Sequence, residues 1–390
     1  MRTMSDAEGS LGLYVHVPFC ERKCAYCDFY SLENHDGVDA FLAALEREVA
    51  LYADPVRPAA ARTVYLGGGT PSILSIDQLR RVLRLLQSRF RVDPTAEVTI
   101  EVNPGTVDRV ALEAYRSLGF NRLSIGVQSF DPAALEFLGR IHSADDARRC
   151  IADARDAGFG NLSIDLIYSV PGQRDDRWYA TLAEACRLRP DHISAYSLIV
   201  EEQTPLFTSV KEGRVTPNDD GHEAALYDGT MAFLGKEGYD HYEVSNYCLP
   251  GKKSRHNSAY WEHAPYLGFG PSAHSYRSPR DGAPASRWSN LRSLGGWSSR
   301  LKTGERPLEK EETLTALELF EEGIFLGLRS NGLDPARVER LSGLQFSPRQ
   351  RETMDALMTA GLAIREGDRL RLTPAGFMIC DEVCARLLVP

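Results

Sequence analysis

Three cysteines near the start of the chain are the residues best suited to chemistry. Cys20, Cys24 and Cys27 are spaced C-x3-C-x2-C and directly follow a short apolar run that predicts a β-strand. Soft thiolate ligands suit iron–sulfur chemistry, and three of them on one loop can hold three corners of a cubane cluster. No fourth cysteine is nearby in the sequence, so one iron keeps an open position for a small ligand. The spacing predicts a [4Fe-4S] cluster with one open iron.

A zinc site is the alternative for this loop. Structural zinc usually takes four ligands in two separated pairs, and the sequence contains no second C-x2-C pair. The remaining cysteines are scattered and form no disulfide framework, which predicts a reducing, cytoplasmic location. They are Cys150 and Cys186 in helical patterns, Cys248 in an irregular stretch, and Cys380 and Cys384 on one helix face, where packing is the expected role.

Length and composition bound the remaining possibilities. A chain of 390 residues can form two domains with substantial cores. The 45 Lys and Arg against 54 Asp and Glu give a net charge of −9, which argues against a nucleic-acid partner. The sequence contains no run of about 18 apolar residues, so no membrane span is expected. The polar residues Met1–Ser10 do not resemble a secretory signal and are expected to be disordered.

Six β-rich runs alternate with helical patterns in the first half of the chain. They are Leu13–Val17, Thr63–Leu66, Glu97–Val102, Arg122–Val127, Asn161–Ile167 and His192–Ile199. Strands that alternate with helices predict βαβ units and a parallel sheet. The fold class is therefore α/β, with six units forming a partial (β/α)6 barrel rather than a complete barrel of eight.

The predicted domains follow from where this alternation stops. The partial barrel covers residues 11–235, and an irregular, aromatic-rich and glycine-rich connecting segment covers 236–300. Helical patterns return in a smaller C-terminal accessory domain over 301–390. Its last part reads as a helix, a short hairpin around Glu366–Asp368 and another helix, so a mainly helical, winged-helix-like domain is expected.

Polar motifs fall where the barrel strands end. The run Gly67–Pro71 follows the second strand, Glu101 ends the third, Gln128 the fourth, and Asp165 lies in the fifth. Glycines allow a ligand to approach the backbone, and an ionised carboxylate accepts strong hydrogen bonds or pairs with an ammonium. Because active sites of parallel barrels lie at the carboxyl ends of the strands, these motifs predict one site.

The cysteine loop, with Tyr26 before its third cysteine, resembles the signature of the radical S-adenosylmethionine (SAM) superfamily. That resemblance implies that SAM binds the open iron and is cleaved by an electron from the cluster, which an external donor such as flavodoxin or ferredoxin supplies. The wider motifs are similar to the oxygen-independent coproporphyrinogen III oxidase group over nearly the whole chain. The resemblance implies SAM-binding roles for Tyr14, Tyr26, Gly68, Gly69, Thr70, Glu101, Gln128, Arg140 and Asp165. From periodicity alone, Arg140 is an ordinary surface helix residue.

Two features distinguish the subfamilies of that group. The oxidases carry a further cysteine two residues after the third, and this chain has Phe29 at that position. The oxidases also have a long extension before the first strand, whereas only ten residues precede Leu11 here. Both features resemble the HemW-type heme chaperones. The run His256-Asn-Ser-Ala-Tyr260-Trp261 resembles their heme-binding motif. It implies that His256 binds heme iron and that Tyr260 and Trp261 pack against the porphyrin, with His274 a weaker alternative ligand and His16 a packing residue.

The resemblance therefore implies a protein that carries a [4Fe-4S] cluster, SAM and heme. It would hand heme to an acceptor heme protein, such as a membrane-associated respiratory enzyme, and could act as a homodimer. Two alternatives stay open. One is an oxidoreductase that decarboxylates the propionates of coproporphyrinogen III. The other is a scaffold in which cluster and SAM control only conformation or dimerisation, so whether the chain is an enzyme is left undecided.

Overall fold

Six parallel strands form the centre of the fold. The computed structural model describes residues 11–53, 60–280 and 282–389, so Met1–Ser10, expected to be disordered, lie outside the described residues. The central strands are adjacent in sequence order, which is the parallel arrangement that the alternating pattern predicts. They are β1 (Leu11–Val17), β2 (Ala60–Gly68), β3 (Arg91–Val102), β4 (Arg122–Gln128), β5 (Leu162–Tyr168) and β6 (His192–Ser197).

Helices connect these strands and bury their apolar faces against the sheet. They are α1 (Val38–Tyr52), α2 (Ile76–Arg89), α3 (Arg109–Leu118), α4 (Pro132–Phe137), α5 (Ala144–Asp156), α6 (Asp175–Leu188), α7 (Pro205–Lys211) and α8 (Asp220–Lys236). Local sequence fixes several ends: Ser75 and Gln78 form a capping box at α2, and Gly119 ends α3 with a φ of 105°. The expected α/β fold with a partial barrel is confirmed.

The segment 236–300, expected to be irregular, is regular and extends the sheet on both sides. Its elements are β7 (Asp240–Glu243), β8 (Asn246–Cys248), α9 (Arg255–Trp261), β9 (Tyr266–Phe269), β10 (His274–Arg277), β11 (Ser286–Asn290) and α10 (Leu294–Lys302). With β12 (Leu308–Thr313), the order becomes β12-β11-β10-β9-β1-β2-β3-β4-β5-β6-β8-β7. The prediction was wrong because strands of three to five residues are too short to show alternation. Cys248 accordingly lies in a strand.

The C-terminal part is mainly helical and contains a two-stranded hairpin. Its elements are α11 (Ala316–Leu328), α12 (Pro335–Ser342), α13 (Pro348–Thr359), β13 (Ala363–Glu366), β14 (Arg369–Leu372), α14 (Pro374–Met378) and α15 (Cys380–Leu388). The helix, hairpin and helix agree with the pattern in the sequence, while the exact domain ranges stay predictions. Cys380 and Cys384 are buried among apolar side chains. Within the described ranges, no helix is long and apolar enough to cross a membrane.

A buried carboxyl group ties α1 to the strands that extend the sheet. Glu48 is fully enclosed; its Oε2 accepts a hydrogen bond from the backbone N–H of Gly270 at 2.7 Å, and its Oε1 accepts one from Asn290 Nδ2 at 2.5 Å. Gly270 follows β9 and Asn290 ends β11, so this carboxyl group helps to fix the hairpin β10–β11. Burial raises the pKa of Glu48 to about 8, although these hydrogen bonds oppose the rise.

The raised pKa makes the contribution of Glu48 to stability depend on pH. Its stabilising contribution is fully present below the ordinary pKa of 4.5 and is lost as the pH rises through about 8. Glutamine cannot ionise, so the variant Glu48→Gln lacks this loss. The free energy of unfolding of Glu48→Gln minus that of the natural protein should therefore rise by on the order of 3 kcal/mol from pH 5 to pH 8. Urea unfolding of both proteins at several pH values measures this difference; a difference independent of pH would contradict it.

Candidate functional site

The cysteine loop is held against the end of β2 by backbone hydrogen bonds. The N–H of Gly69 donates to the carbonyl of Val17 at 2.9 Å, and the N–H of Thr70 donates to the carbonyl of Phe19 at 2.7 Å. A Cβ on Gly69 would lie 2.5 Å from the carbonyl oxygen of Phe19. Only glycine permits this approach, so the glycine run and the cysteine loop form one structural unit.

Two of the three thiols receive hydrogen bonds from neighbouring polar groups. Thr70 Oγ1 donates to Cys20 Sγ and Arg140 Nη1 donates to Cys24 Sγ, both at 3.5 Å. Burial raises the pKa of Cys27 to about 11, and the other two cysteines add to the rise. Donors aimed at sulfur favour the thiolates that a metal needs.

The geometry bears on the zinc alternative. Among the residues that the structure describes, no three His, Cys, Asp or Glu side chains are gathered as they would be around a single metal ion. A cluster spreads its ligands over several irons, so it remains the group that three thiols on one loop suit.

Arg140 connects the cysteine loop to two barrel strands. Its Nη2 donates to Asn103 Oδ1 at 2.6 Å and to the carbonyl of Gly126 at 2.9 Å, while its Nη1 contacts Cys24. Its Nε is buried and has no hydrogen-bond partner among the described atoms. Periodicity alone predicts an ordinary surface residue at this position. However, α4 ends at Phe137, and the guanidinium of Arg140 points inward. A buried donor without a partner is a feature of a ligand-binding site.

Two carboxylates lie on β3 and β5, on either side of β4, and are close enough that the charge of Asp165 affects the pKa of Glu101. Glu101 on β3 accepts from Tyr65 Oη at 2.8 Å and from the N–H of Gly68 at 3.0 Å. Asp165 on β5 accepts from Ser124 Oγ at 3.3 Å. Burial raises the pKa of Glu101 to about 7, with Asp165 adding to the rise, and burial also raises the pKa of Asp165. Two buried carboxylates that act on each other favour a cationic ligand group, such as an ammonium or a sulfonium.

The remaining residues with predicted SAM roles lie along the same edge. Gln128 has a φ of 64°, and a Cβ on Gly126 would lie 3.0 Å from its Nε2. Gly68 has a φ of 107°, and a Cβ there would lie 2.5 Å from His16 Nδ1. Tyr26 packs against a separate apolar cluster beside α4. A glycine-lined approach, paired carboxylates and an unpartnered guanidinium donor suit an amino acid or nucleoside ligand such as SAM.

Sequence reasoning missed two side chains of this site. Asn103 donates from Nδ2 to Thr70 Oγ1 at 2.9 Å, and Tyr65 holds Glu101. Asn103 belongs to the motif Glu101-Val-Asn-Pro, so its position in that motif could have identified it as a site residue. Tyr65 had no signal beyond its place in β2.

His256 is buried behind Tyr260, and both of its ring nitrogens have partners. Its Nδ1 lies 2.7 Å from Thr63 Oγ1 and its Nε2 lies 2.7 Å from Tyr260 Oη. Its ring stacks on Tyr65 at 5.0 Å, and burial lowers its pKa to about 3. Ligation of heme iron by His256 stays a prediction, and it requires one of these hydrogen bonds to break. Trp261 lies at the end of α9.

A cavity of about 690 Å³, here called the side cavity, opens beside the cysteine loop. Tyr14 and His16 line it from β1, and Phe29 lines it from the loop that follows Cys27. Its other walls come from α9, the strands β9–β11 and α11, and they include Tyr260 and His274 but not Trp261. Its volume is within the range of about 300–1,000 Å³ typical of small-molecule pockets.

The fold and the site define a radical SAM protein. The family model of the radical SAM superfamily matches residues 14–185, and that of the HemN C-terminal domain matches residues 314–379. The structure resembles coproporphyrinogen III oxidase (HemN) from Escherichia coli with a TM-score of 0.81 and 25% sequence identity, covering 98% of this chain and 91% of that chain.

Curated relatives make the family assignment more specific. The heme chaperone HemW of Mycobacterium tuberculosis is 36% identical over 382 residues, which cover 97% of this chain and 94% of the relative. HemW of Lactococcus lactis is 32% identical, covering 96% and 97%. The radical S-adenosyl methionine domain-containing protein 1, mitochondrial, of Bos taurus is 34% identical, covering 98% and 89%. The chain belongs to the HemW heme chaperone family of the radical SAM superfamily.

The close contact at Gly69 can be tested by substitution. Gly69→Ala should separate the end of β2 from the cysteine loop, because the new Cβ meets backbone atoms that cannot rotate away. We expect the iron and sulfide bound after anaerobic reconstitution to fall by about half or more. Gly160→Ala is the matched control, since a Cβ there meets nothing within 4 Å. Equal iron content in both variants would contradict the structural role given to Gly69.

Proposed function

We propose that this protein binds heme beside a [4Fe-4S] cluster and SAM, and hands the heme to an acceptor protein. The observation that carries the proposal is that the side cavity and the cysteine loop adjoin. Tyr14 and His16 line the cavity, and His16 Nε2 donates to the carbonyl of Tyr30, three residues after Cys27. A ligand in the cavity and a cluster on the loop would therefore influence each other through shared side chains.

The cluster and SAM would be held at the carboxyl ends of the barrel strands. Cys20, Cys24 and Cys27 are the proposed cluster ligands, with Arg140 and Thr70 donating to two of the sulfurs. When bound, the cluster supplies an electron for the cleavage of SAM. The proposed SAM contacts come from the residues that the sequence singled out at this edge, which are Tyr14, Tyr26, Gly68, Gly69, Thr70, Glu101, Gln128, Arg140 and Asp165.

Oxidative decarboxylation of coproporphyrinogen is the second candidate, because the fold resembles that of HemN over most of both chains. One residue argues against it. The side chain of Phe29, where the resemblance implies a fourth cysteine in the oxidases, is 64% exposed and lines the side cavity. A phenyl ring offers no ligand to a metal, but it suits the apolar face of a porphyrin. We therefore prefer heme storage and transfer to decarboxylation.

Because its relatives are named heme chaperones, we propose a chaperone cycle. An apo-heme protein, such as a membrane-associated respiratory enzyme, would take the heme, and flavodoxin or ferredoxin would reduce the cluster. The net charge of −9 gives no support to a nucleic-acid partner. A homodimer is compatible with a scaffold role of the cluster. Sedimentation of the protein with and without the reconstituted cluster would show whether the cluster controls formation of this homodimer.

Heme binding without decarboxylation is the direct test of the proposed function. The reconstituted protein should bind about one hemin per chain and should form no protoporphyrinogen from coproporphyrinogen III with SAM and reductant. Hemin titration followed by absorbance, and product analysis by chromatography, measure the two properties. Turnover to protoporphyrinogen with release of carbon dioxide would establish the oxidase instead.

The cluster assignment makes a separate prediction. Cys24→Ala should lose most of the broad visible absorbance of a reconstituted cluster, because two cysteines of the loop cannot hold a cubane stably. Cys186→Ala on α6 is the control, since that cysteine lies far from the loop in sequence and in another element. Iron and sulfide analysis measures the loss. Full cluster content in Cys24→Ala would remove this cysteine from the ligand set.

A further inference from the structure

Four histidines lie in or directly behind the side cavity, and they differ in how their ring nitrogens are used. His16 Nε2 donates to the carbonyl of Tyr30 at 2.8 Å, and its Nδ1 lies 3.2 Å from Tyr14 Oη. Both nitrogens of His256 are engaged by Thr63 and Tyr260. An iron ligand must present a free lone pair, so each of these two histidines would have to give up a buried hydrogen bond.

His263 is also engaged. Its Nε2 lies 3.0 Å from Glu322 Oε2, and its ring stacks on Tyr276 with centroids 4.7 Å apart. A charged partner on one nitrogen and a ring on one face leave it little freedom to turn toward a ligand. The position of His263 suits a wall of the cavity better than a metal ligand.

His274 differs from the other three. It is the first residue of β10, it is exposed, and it lines the side cavity. Among the described residues, no side chain or backbone group forms a hydrogen bond with the ring of His274. Burial of part of the ring and the nearby Arg287 lower its pKa, so the neutral form that coordinates metals prevails at neutral pH.

The strand that carries His274 is fixed from both sides. Its partner on β11 is Ser289, and Gly270 and Asn290, which flank this hairpin, are both hydrogen-bonded to the buried Glu48. A ligand on a rigid strand holds its direction better than one on a loop. The imidazole of His274 therefore points into the cavity from a preorganised support.

Aromatic rings and two arginines complete the surroundings of a porphyrin. Tyr260 and Tyr266 pack edge to face with centroids 4.5 Å apart, and together with Phe29 and Phe325 they give the cavity flat apolar surfaces. Arg287 and Arg292 also line it, with side chains 45% and 47% exposed.

These arginines already pair with carboxylates of the protein. Arg287 bonds Glu312 and Glu322, and Arg292 bonds Asp28. A guanidinium has five N–H donors, so an exposed arginine can receive a further carboxylate while it keeps its first partner. Propionate groups at the cavity mouth would be such carboxylates.

We propose that the side cavity is the heme site and that His274, rather than His256, is the axial ligand of the heme iron, with Arg287 and Arg292 binding the propionates. This inference rests on the proposed heme-binding function. His256 is then a positioning residue: through its hydrogen bond to Tyr260 Oη, it directs that ring into the cavity.

Two variants separate the two histidines. In the reconstituted full chain, His274→Gly should weaken hemin binding by about tenfold or more and change the Soret band to that of heme without its histidine. External imidazole should restore the band, since it can enter the vacated space. His256→Ala should weaken binding by only about threefold, keep the histidine-ligated band and show no response to imidazole. His222→Ala, on α8 outside the cavity, is the control for adventitious hemin binding.

The outcomes are distinct. An unchanged band in His274→Gly, or imidazole rescue confined to His256→Ala, would overturn the assignment of His274 while the proposed function stands. Absence of hemin binding in the natural protein would overturn both. Iron content and circular dichroism of each variant report whether the cluster and the fold are intact, and the exposure of His274 makes loss of fold unexpected.

A second ligand tests the arginines. Hemin dimethyl ester lacks free propionates, so it should bind the natural protein about tenfold more weakly than hemin. Arg287→Gln should reduce that preference, whereas Arg277→Gln, at the far end of β10 and outside the cavity lining, should keep it. Equal affinity of the natural protein for both porphyrins would contradict the role of the arginines.

Discussion

The backbone pairing between the cysteine loop and the end of β2 determines the position of the candidate site. Two N–H groups of the glycine run donate to carbonyls of residues 17 and 19, and this pairing is possible only because Gly69 has no Cβ. It places the hydroxyl of Thr70 next to Cys20, and Thr70 in turn accepts a hydrogen bond from Asn103. Arg140 continues the chain of contacts from Asn103 back to Cys24. Cys20 and Cys24 are therefore linked, through Thr70, Asn103 and Arg140, to the ends of β2 and β3 and to Gly126 on β4.

A second set of contacts connects the barrel to the strands that extend the sheet. Thr63 on β2 binds His256, which binds Tyr260, and the backbone N–H of His256 donates to Glu97 Oε1 at 3.0 Å. On the other side, Glu48 holds both ends of the hairpin that carries His274. These contacts are buried and polar, so they specify one arrangement of the cavity walls.

Much of the barrel and of its site could be predicted from the sequence because both depend on local signals. Alternation of strands and helices gives the parallel sheet, and carboxyl ends of parallel strands must meet at one edge. The short strands of residues 236–300 could not be predicted, since three to five residues show no period. The barrel strands that β8 and β9 join, β6 and β1, also lie far away in the sequence. The inward direction of Arg140 depends on where α4 ends, and the availability of His274 depends on what its neighbours already bind. Neither property is visible in a single sequence.

The central claim is that heme is held by His274 in a cavity next to the cluster. Cobalt(II) protoporphyrin is paramagnetic under the reducing conditions in which the cluster is also paramagnetic, so electron paramagnetic resonance can report on both together. The spectrum should show superhyperfine splitting from one axial nitrogen, which His274→Gly removes, and magnetic coupling to the reduced cluster. A spectrum without nitrogen splitting, or one that is the plain sum of the two isolated centres, would contradict this account.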